Sequence, residues 1–137
     1  MGDVRVTVET IANRPRASSG SPYEPVFGYC RAVRSGNLIT VSGTVGLNHD
    51  GTYPPTAGEQ ARRALAIIAA AVEALGGRLE HVVRTRLFVT DMATAREVGQ
   101  AHGEMFGAIR PATSMLGVAS LIDPAALVEI EADAVVP

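Results

Sequence analysis

The segment Val128-Glu129-Ile130-Glu131-Ala132-Asp133-Ala134 constrains this fold more than any other part of the chain. A period of two puts Val128, Ile130, Ala132 and Ala134 on one side of a strand, and Glu129, Glu131 and Asp133 on the other. The apolar side needs a second layer to pack against. The acidic side needs water or partners, because adjacent carboxylates repel one another and burial raises their pKa. Two readings satisfy it. Either the face is solvated or paired across strands with Arg84 and Arg86, or Glu129 lies in a cleft between subunits and positions water or takes a proton.

The second layer is legible in two helical segments. Thr56-Ala57-Gly58-Glu59 has capping-box spacing, and Ala61, Leu65, Ile68, Val72 and Leu75 continue from it as one apolar stripe up to Gly76-Gly77. Thr94-Ala95-Arg96-Glu97 repeats the box before a shorter helix that carries Val98, Ala101, His102 and Met105. Strands are expected at Val4–Val8, at Tyr29–Val33 and Leu38–Ser42 as a hairpin ended by Gly43, at Val82–Val89, at Ala112–Val118 and at Leu127–Val136. Residues 13–25 read as a long ordered loop. In Val82–Val89, Arg84, Arg86 and Phe88 share one face, and Val83, Thr85, Leu87 and Val89 the other. The order β, ββ, α, β, α, ββ predicts a two-layer α+β sandwich in a single domain, residues 1–137, with both helices on one sheet face. The other face has no helix to cover it, which predicts oligomerisation.

Composition excludes several functions. The 137 residues are 47% apolar and 19% charged with net charge −2, so the chain has no bulk pull on nucleic acid or anionic lipid. The apolar run 64–72 is too short to cross a bilayer, and the first twelve residues lack a signal-peptide pattern, so the expectation is a cytoplasmic protein with no membrane partner. All twelve basic residues are arginine, which removes a lysine Schiff base. One cysteine, Cys30, and three scattered histidines offer no metal-ligand spacing, so neither metal nor cofactor is expected. Cys30 reads as a small buried hydrophobe and His102 as a surface residue. Tyr23, held between Pro22 and Pro25 with Phe27 beside it, either plugs the core edge or walls a pocket. Arg84 and Arg86 fit an ion pair with the acidic strand better than a substrate-binding fork.

Several of these segments together resemble the Rid/YjgF family of reactive-intermediate deaminases, once also described as endoribonucleases. They are Gly20-Ser21-Pro22-Tyr23, the run from Gly36 to Gly43, Glu59-Gln60-Ala61-Arg62, the run from Arg84 to Asp91, Arg110-Pro111-Ala112-Thr113-Ser114, and Val128 to Ala132. The resemblance implies a chorismate-mutase-like fold with a mixed sheet, assembled as a homotrimer with the free sheet faces inward and clefts between subunits. It also implies hydrolysis of enamines and imines, released by pyridoxal-phosphate enzymes, to ketone and ammonia without metal or cofactor. In that group an arginine following Pro-Ala grips the substrate carboxylate; the matching residue here is Thr113. The group's helical asparagine matches Gly99, and its cysteine matches Met115. Tyr23, Ser42-Gly43 and Glu129 are retained. The resemblance therefore implies catalytic roles for Glu129 and for Thr113, whose neighbouring amides would polarise the reacting carbon. It implies substrate contacts at Tyr23, Phe27, Ser42, Gly43, Arg86, Ser114 and Met115. Losing a guanidinium–carboxylate contact costs roughly 3–5 kcal/mol, or about 10²–10³-fold or more in binding, which points to an arginine-lacking branch with a different small molecule as substrate. The alternative is a non-catalytic trimer that binds a metabolite or partner in the same clefts. A ribonuclease comes third, disfavoured by the net charge.

Overall fold

In the computed structural model, which describes residues 3–137, the chain builds one seven-stranded sheet and three α-helices. Strands β1 (Thr7–Ile11) and β2 (Arg14–Ser18) form a hairpin about Ala12 and Asn13, both at positive φ as a two-residue primed turn requires. This corrects the expected strand at Val4–Val8 and the expected loop over residues 13–25. The physical reason is exposure. All five β1 residues face solvent, so no inward alternation marks them, and Pro15 sits where a ladder donor would be. The rest of that loop winds into α1 (Tyr23–Phe27), a single turn closed by Gly28 at φ 74°.

Strands β3 (Ala32–Ser35) and β4 (Leu38–Val45) make the second hairpin. They are followed by α2 (Ala57–Ala74), β5 (Val82–Val89), α3 (Ala95–Phe106), β6 (Ala112–Gly117) and β7 (Val128–Val135). The sheet order is β1-β2-β3-β4-β7-β5-β6, antiparallel except for the parallel pair β5 and β6. Gly43 does not end the pairing, as the sequence suggests; β4 continues to Val45 through a bulge between Val41 and Thr44. A second irregularity between Val82 and Arg84 turns Val83 out to solvent and gives its inward place to Val82.

The capping box at Thr56 forms, with its hydroxyl accepting from the Glu59 amide and the Glu59 carboxylate accepting from the Thr56 amide. The stripe from Ala61 to Leu75 is buried against Ile39, Val41, Leu87, Val89 and Ile130 of the sheet. The second box does not form. Thr94 is helical and donates to the Asp91 carbonyl, while the Asp91 carboxylate caps a 3-10 turn that runs straight into α3. Glu97 is thereby free to accept from the Gly58 amide (3.3 Å) at the N-terminus of α2, where the helix dipole favours an anion. Among the described residues no helix is long and apolar enough to cross a membrane.

The face opposite the helices carries the acidic row. Arg86 Nη1 lies 3.1 Å from Glu131 and 3.5 Å from Asp133, and Arg84 donates to Ser114 Oγ at 3.1 Å. Because these side chains keep over a quarter of their surface in water, and Asp133 still serves Arg86, Glu131→Gln should cost less than about 1 kcal/mol in denaturant unfolding of the chain. A Cβ at Gly103, inside α3, would meet nothing within 4 Å. Gly103→Ala should therefore stabilise the chain by about 0.5–1 kcal/mol, read from the shift in denaturant midpoint.

Candidate functional site

The bulge in β4 brings the Gly43 backbone close under the Glu129 side chain on the acidic face. A Cβ built on Gly43 would lie 2.8 Å from the Glu129 carboxyl carbon and 2.9 Å from its Oε2, so only glycine lets this carboxylate lie over the backbone. Ser42 is held beside it: its hydroxyl donates to the Cys30 carbonyl (2.7 Å) and its amide to the Arg31 carbonyl (2.9 Å). Glu129 is half-buried, and burial raises its pKa; Arg31 opposes that shift and Glu131 adds to it. A carboxylate so placed holds or takes a proton more readily than an exposed one.

Arg31 is the residue that sequence reading passed over. It is 4% exposed, and its guanidinium donates to Ser19 Oγ, the Gly43 carbonyl and Thr44 Oγ1 at 2.7–3.1 Å, with the Glu24 carboxylate at 3.5 Å. Glu24 in turn accepts from Ser19 and the Ser21 amide, which fixes the loop leading to Tyr23. The only available signal was the pairing of an acid in the Ser-Pro-Tyr-Glu-Pro loop with an arginine at the mouth of β3.

Tyr23, Arg31, Tyr53 and Asp123 help line a cavity of about 410 Å³ between that loop, the end of β4 and residues 47–53. Tyr53 has its pKa raised well above the ordinary tyrosine value by burial and by the nearby Asp123 carboxylate, with smaller contributions from Tyr23 and Glu129. Tyr23 thus walls a pocket, and Phe27 stacks on it from the solvent side with ring centroids 5.5 Å apart. Gln60, buried on α2, donates to the Pro54 and Ala125 carbonyls and accepts from the Leu127 amide, which ties both loops of the cavity to one helix.

The second group stands elsewhere. The parallel register of β5 and β6 sets Thr85 beside Thr113, Arg86 beside Ser114 and Leu87 beside Met115. Ser114 shares the acidic face, whereas Thr113 and Met115 point to the α3 side. There Met115 Cε would lie 3.8 Å from a Cβ on Gly99. Within one chain, then, Thr113 and Glu129 lie on opposite faces of the sheet and do not meet.

The family profile described as endoribonuclease L-PSP matches residues 20–136. The chain belongs to this family. A crystal structure of Rv2704 from Mycobacterium tuberculosis, described as a member of the YjgF/YER057c/UK114 family, is 49% identical, with a TM-score of 0.83 over 90% of this chain and 99% of that one. An uncharacterized protein of Streptomyces coelicolor is 37% identical over 87% of this chain and 90% of its own. The 2-iminobutanoate/2-iminopropanoate deaminase of Escherichia coli is 36% identical over 78% of this chain and 86% of its own. The mixed sheet with its helices is thus the YjgF fold, an α+β architecture of the chorismate-mutase type, and some members of the family carry deaminase names.

Proposed function

We propose that this chain is a hydrolase of the enamine/imine deaminase type, acting without metal at clefts between the subunits of a homotrimer, on a substrate other than the archetypal amino-acid imine. The observation that carries the reading is the glycine-permitted seat of Glu129 over Gly43. There the carboxylate takes a proton from water as the water adds to the imine carbon. Thr113 and Glu129 lie on opposite faces of one sheet, so a site using both takes them from two copies, with Ser42, Gly43 and Tyr23 on the glutamate's side, Met115 on the threonine's, and Arg86 and Ser114 on the acidic face at the sheet edge. Amides around Thr113 polarise the reacting carbon. The relative named as a deaminase acts on 2-iminobutanoate and 2-iminopropanoate. Thr113 has no charge with which to hold such a carboxylate.

The expected result is turnover of an imine that carries no carboxylate, such as a simple alkyl ketimine, with 2-iminopropanoate hydrolysed at least about 10²-fold more slowly than by the E. coli enzyme. Comparable rates on 2-iminopropanoate would overturn the substrate claim. Light scattering at micromolar concentration should give three times the chain mass; a monomer mass would overturn the shared cleft. The competing reading, a trimer that binds without reacting, draws on the same uncharged Thr113, and turnover of no imine would favour it. Cleavage of RNA is disfavoured by the three carboxylates in a row on the open face, which repel a polyanion.

A further inference from the structure

Every inward position on β5 from Val82 onward is apolar except one: Val82, Leu87 and Val89 are joined by Thr85, which is fully buried. Its hydroxyl is 2.8 Å from His102 Nε2 on α3 and 2.7 Å from Thr113 Oγ1 on β6. Thr113 Oγ1 in turn lies 3.1 Å from the Pro111 carbonyl. Three polar groups from three elements therefore form a continuous line from a half-buried imidazole, through the core, to an exposed hydroxyl on the edge of the sheet.

The line can be polarised either way. In one sense His102 donates through Nε2 to Thr85, Thr85 to Thr113, and Thr113 to the Pro111 carbonyl. In the other, Thr113 donates to Thr85 and Thr85 to an unprotonated Nε2. Reversal needs only rotation of two hydroxyls and a change of tautomer. We propose that His102, Thr85 and Thr113 form a proton relay that makes the Thr113 hydroxyl a general base at the sheet edge. This rests on the reading above, in which that edge borders the reacting carbon.

The relay has a defined place in the hydrolysis. Water adds to the protonated imine, and the glutamate of a second copy takes one of its protons, leaving a neutral carbinolamine. In its collapse the glutamate returns that proton to nitrogen, the carbon–nitrogen bond breaks, and ammonia leaves with the electron pair. The carbinolamine hydroxyl gives its proton to Thr113 as the carbonyl forms. Thr113 passes its own proton to Thr85, and Thr85 passes its own to His102, which discharges to solvent. Protonated imine and water thus yield ketone, ammonia and one proton.

The surroundings of His102 suit a base. Burial lowers its pKa from 6.5, so the ring is neutral at pH 7. Phe106 packs on it with ring centroids 4.8 Å apart. Of the elements around it, β5 and β6 offer Thr85, Thr113 and Met115, all uncharged. The charged side chains on the packed helices are Arg96, Glu97 and Glu104 of α3 and Glu59, Arg62, Arg63 and Glu73 of α2, with Arg62 paired to Glu104; the cause of the shift is burial.

The test uses phenylmethylsulfonyl fluoride, whose sulfur forms a bond to an activated hydroxyl oxygen as fluoride leaves and the proton passes down the relay. Mass spectrometry of the wild-type protein should find Thr113 sulfonylated, at a rate that rises with pH through a midpoint below 6.5. His102→Gln and Thr85→Val should each slow labelling roughly 10²-fold, the lower end of what a positioned base contributes, while Thr85→Ser keeps the wild-type rate. If Thr85→Val fails to fold, His102→Gln and Thr85→Ser still decide the matter. Thr113 left unlabelled in the wild type, or labelled equally in His102→Gln, overturns the relay. Hydrolysis of imines with labelling indifferent to His102 removes the relay and leaves the deaminase reading. Labelling that follows His102 in a protein that hydrolyses no imine does the reverse.

Discussion

Gly46→Ala is expected to cost about 3 kcal/mol or more, a large share of the stability of a domain this size. Gly46 follows β4 directly and is buried where that strand passes under the first turn of α2. A Cβ there would lie 2.3 Å from the Gln60 carbonyl oxygen, 2.8 Å from its Cα and 2.9 Å from its carbonyl carbon. All three are helix backbone, so no side chain can swing aside. The methyl group is accommodated only if α2 lifts from the sheet, and α2 supplies Leu65, Ile68 and Val72 to the core. Circular dichroism with denaturant titration would measure the loss. A midpoint within experimental error of wild type would mean that α2 does not rest on the strand at this point.

Glu129→Gln is expected to abolish hydrolysis and leave the fold and the oligomer intact. The amide keeps the shape of the side chain over Gly43 but neither takes a proton from water nor returns one to nitrogen, so a loss of roughly 10²–10⁴-fold follows. Stability should not fall. Burial raises the Glu129 pKa, so ionising this group works against the folded state: its favourable contribution is complete at pH below about 4.5 and is lost as pH rises through the raised value. The same shift sets the sign of the activity profile, which should climb with pH through a midpoint above 4.5 as the carboxylate forms. Gly43→Ala makes a sharper companion. Its methyl would strike the Glu129 carboxyl group, the movable end of a flexible side chain, so the protein should fold while the carboxylate is displaced and turnover drops. Full activity in Glu129→Gln would sink the assignment.

What the sequence disclosed depended on whether the deciding contacts were local. Helix α2 was legible because its cap, its stripe and its stop all lie in one continuous segment, Thr56 to Gly77. The acidic and apolar faces of β7 were legible because strand alternation is local too. The pairing of Arg86 with Glu131 followed once those strands were neighbours. The β1–β2 hairpin was not, since β1 is exposed throughout and β2 buries only Ala17, which is too little to mark a periodicity. At Thr94 the capping-box letters were present, yet Asp91 three residues earlier offered a competing cap and won. Arg31 and Thr85 escaped for a deeper reason. A buried polar side chain is stable only where partners from other elements converge on it, and neither strand alternation nor helical periodicity reports that convergence.

The single amide of Gln60 has a consequence for how the cavity can change. It fastens the segment bearing Tyr53 and the segment before β7 to the same turn of α2, and Tyr53 and Asp123 face the same cavity from those two segments. The two walls are coupled like the jaws of one clamp. A substitution that widens the cavity from one wall therefore pulls on the other, so new ligand specificity is reached more readily by exchanging side chains on a fixed frame than by remodelling either loop alone.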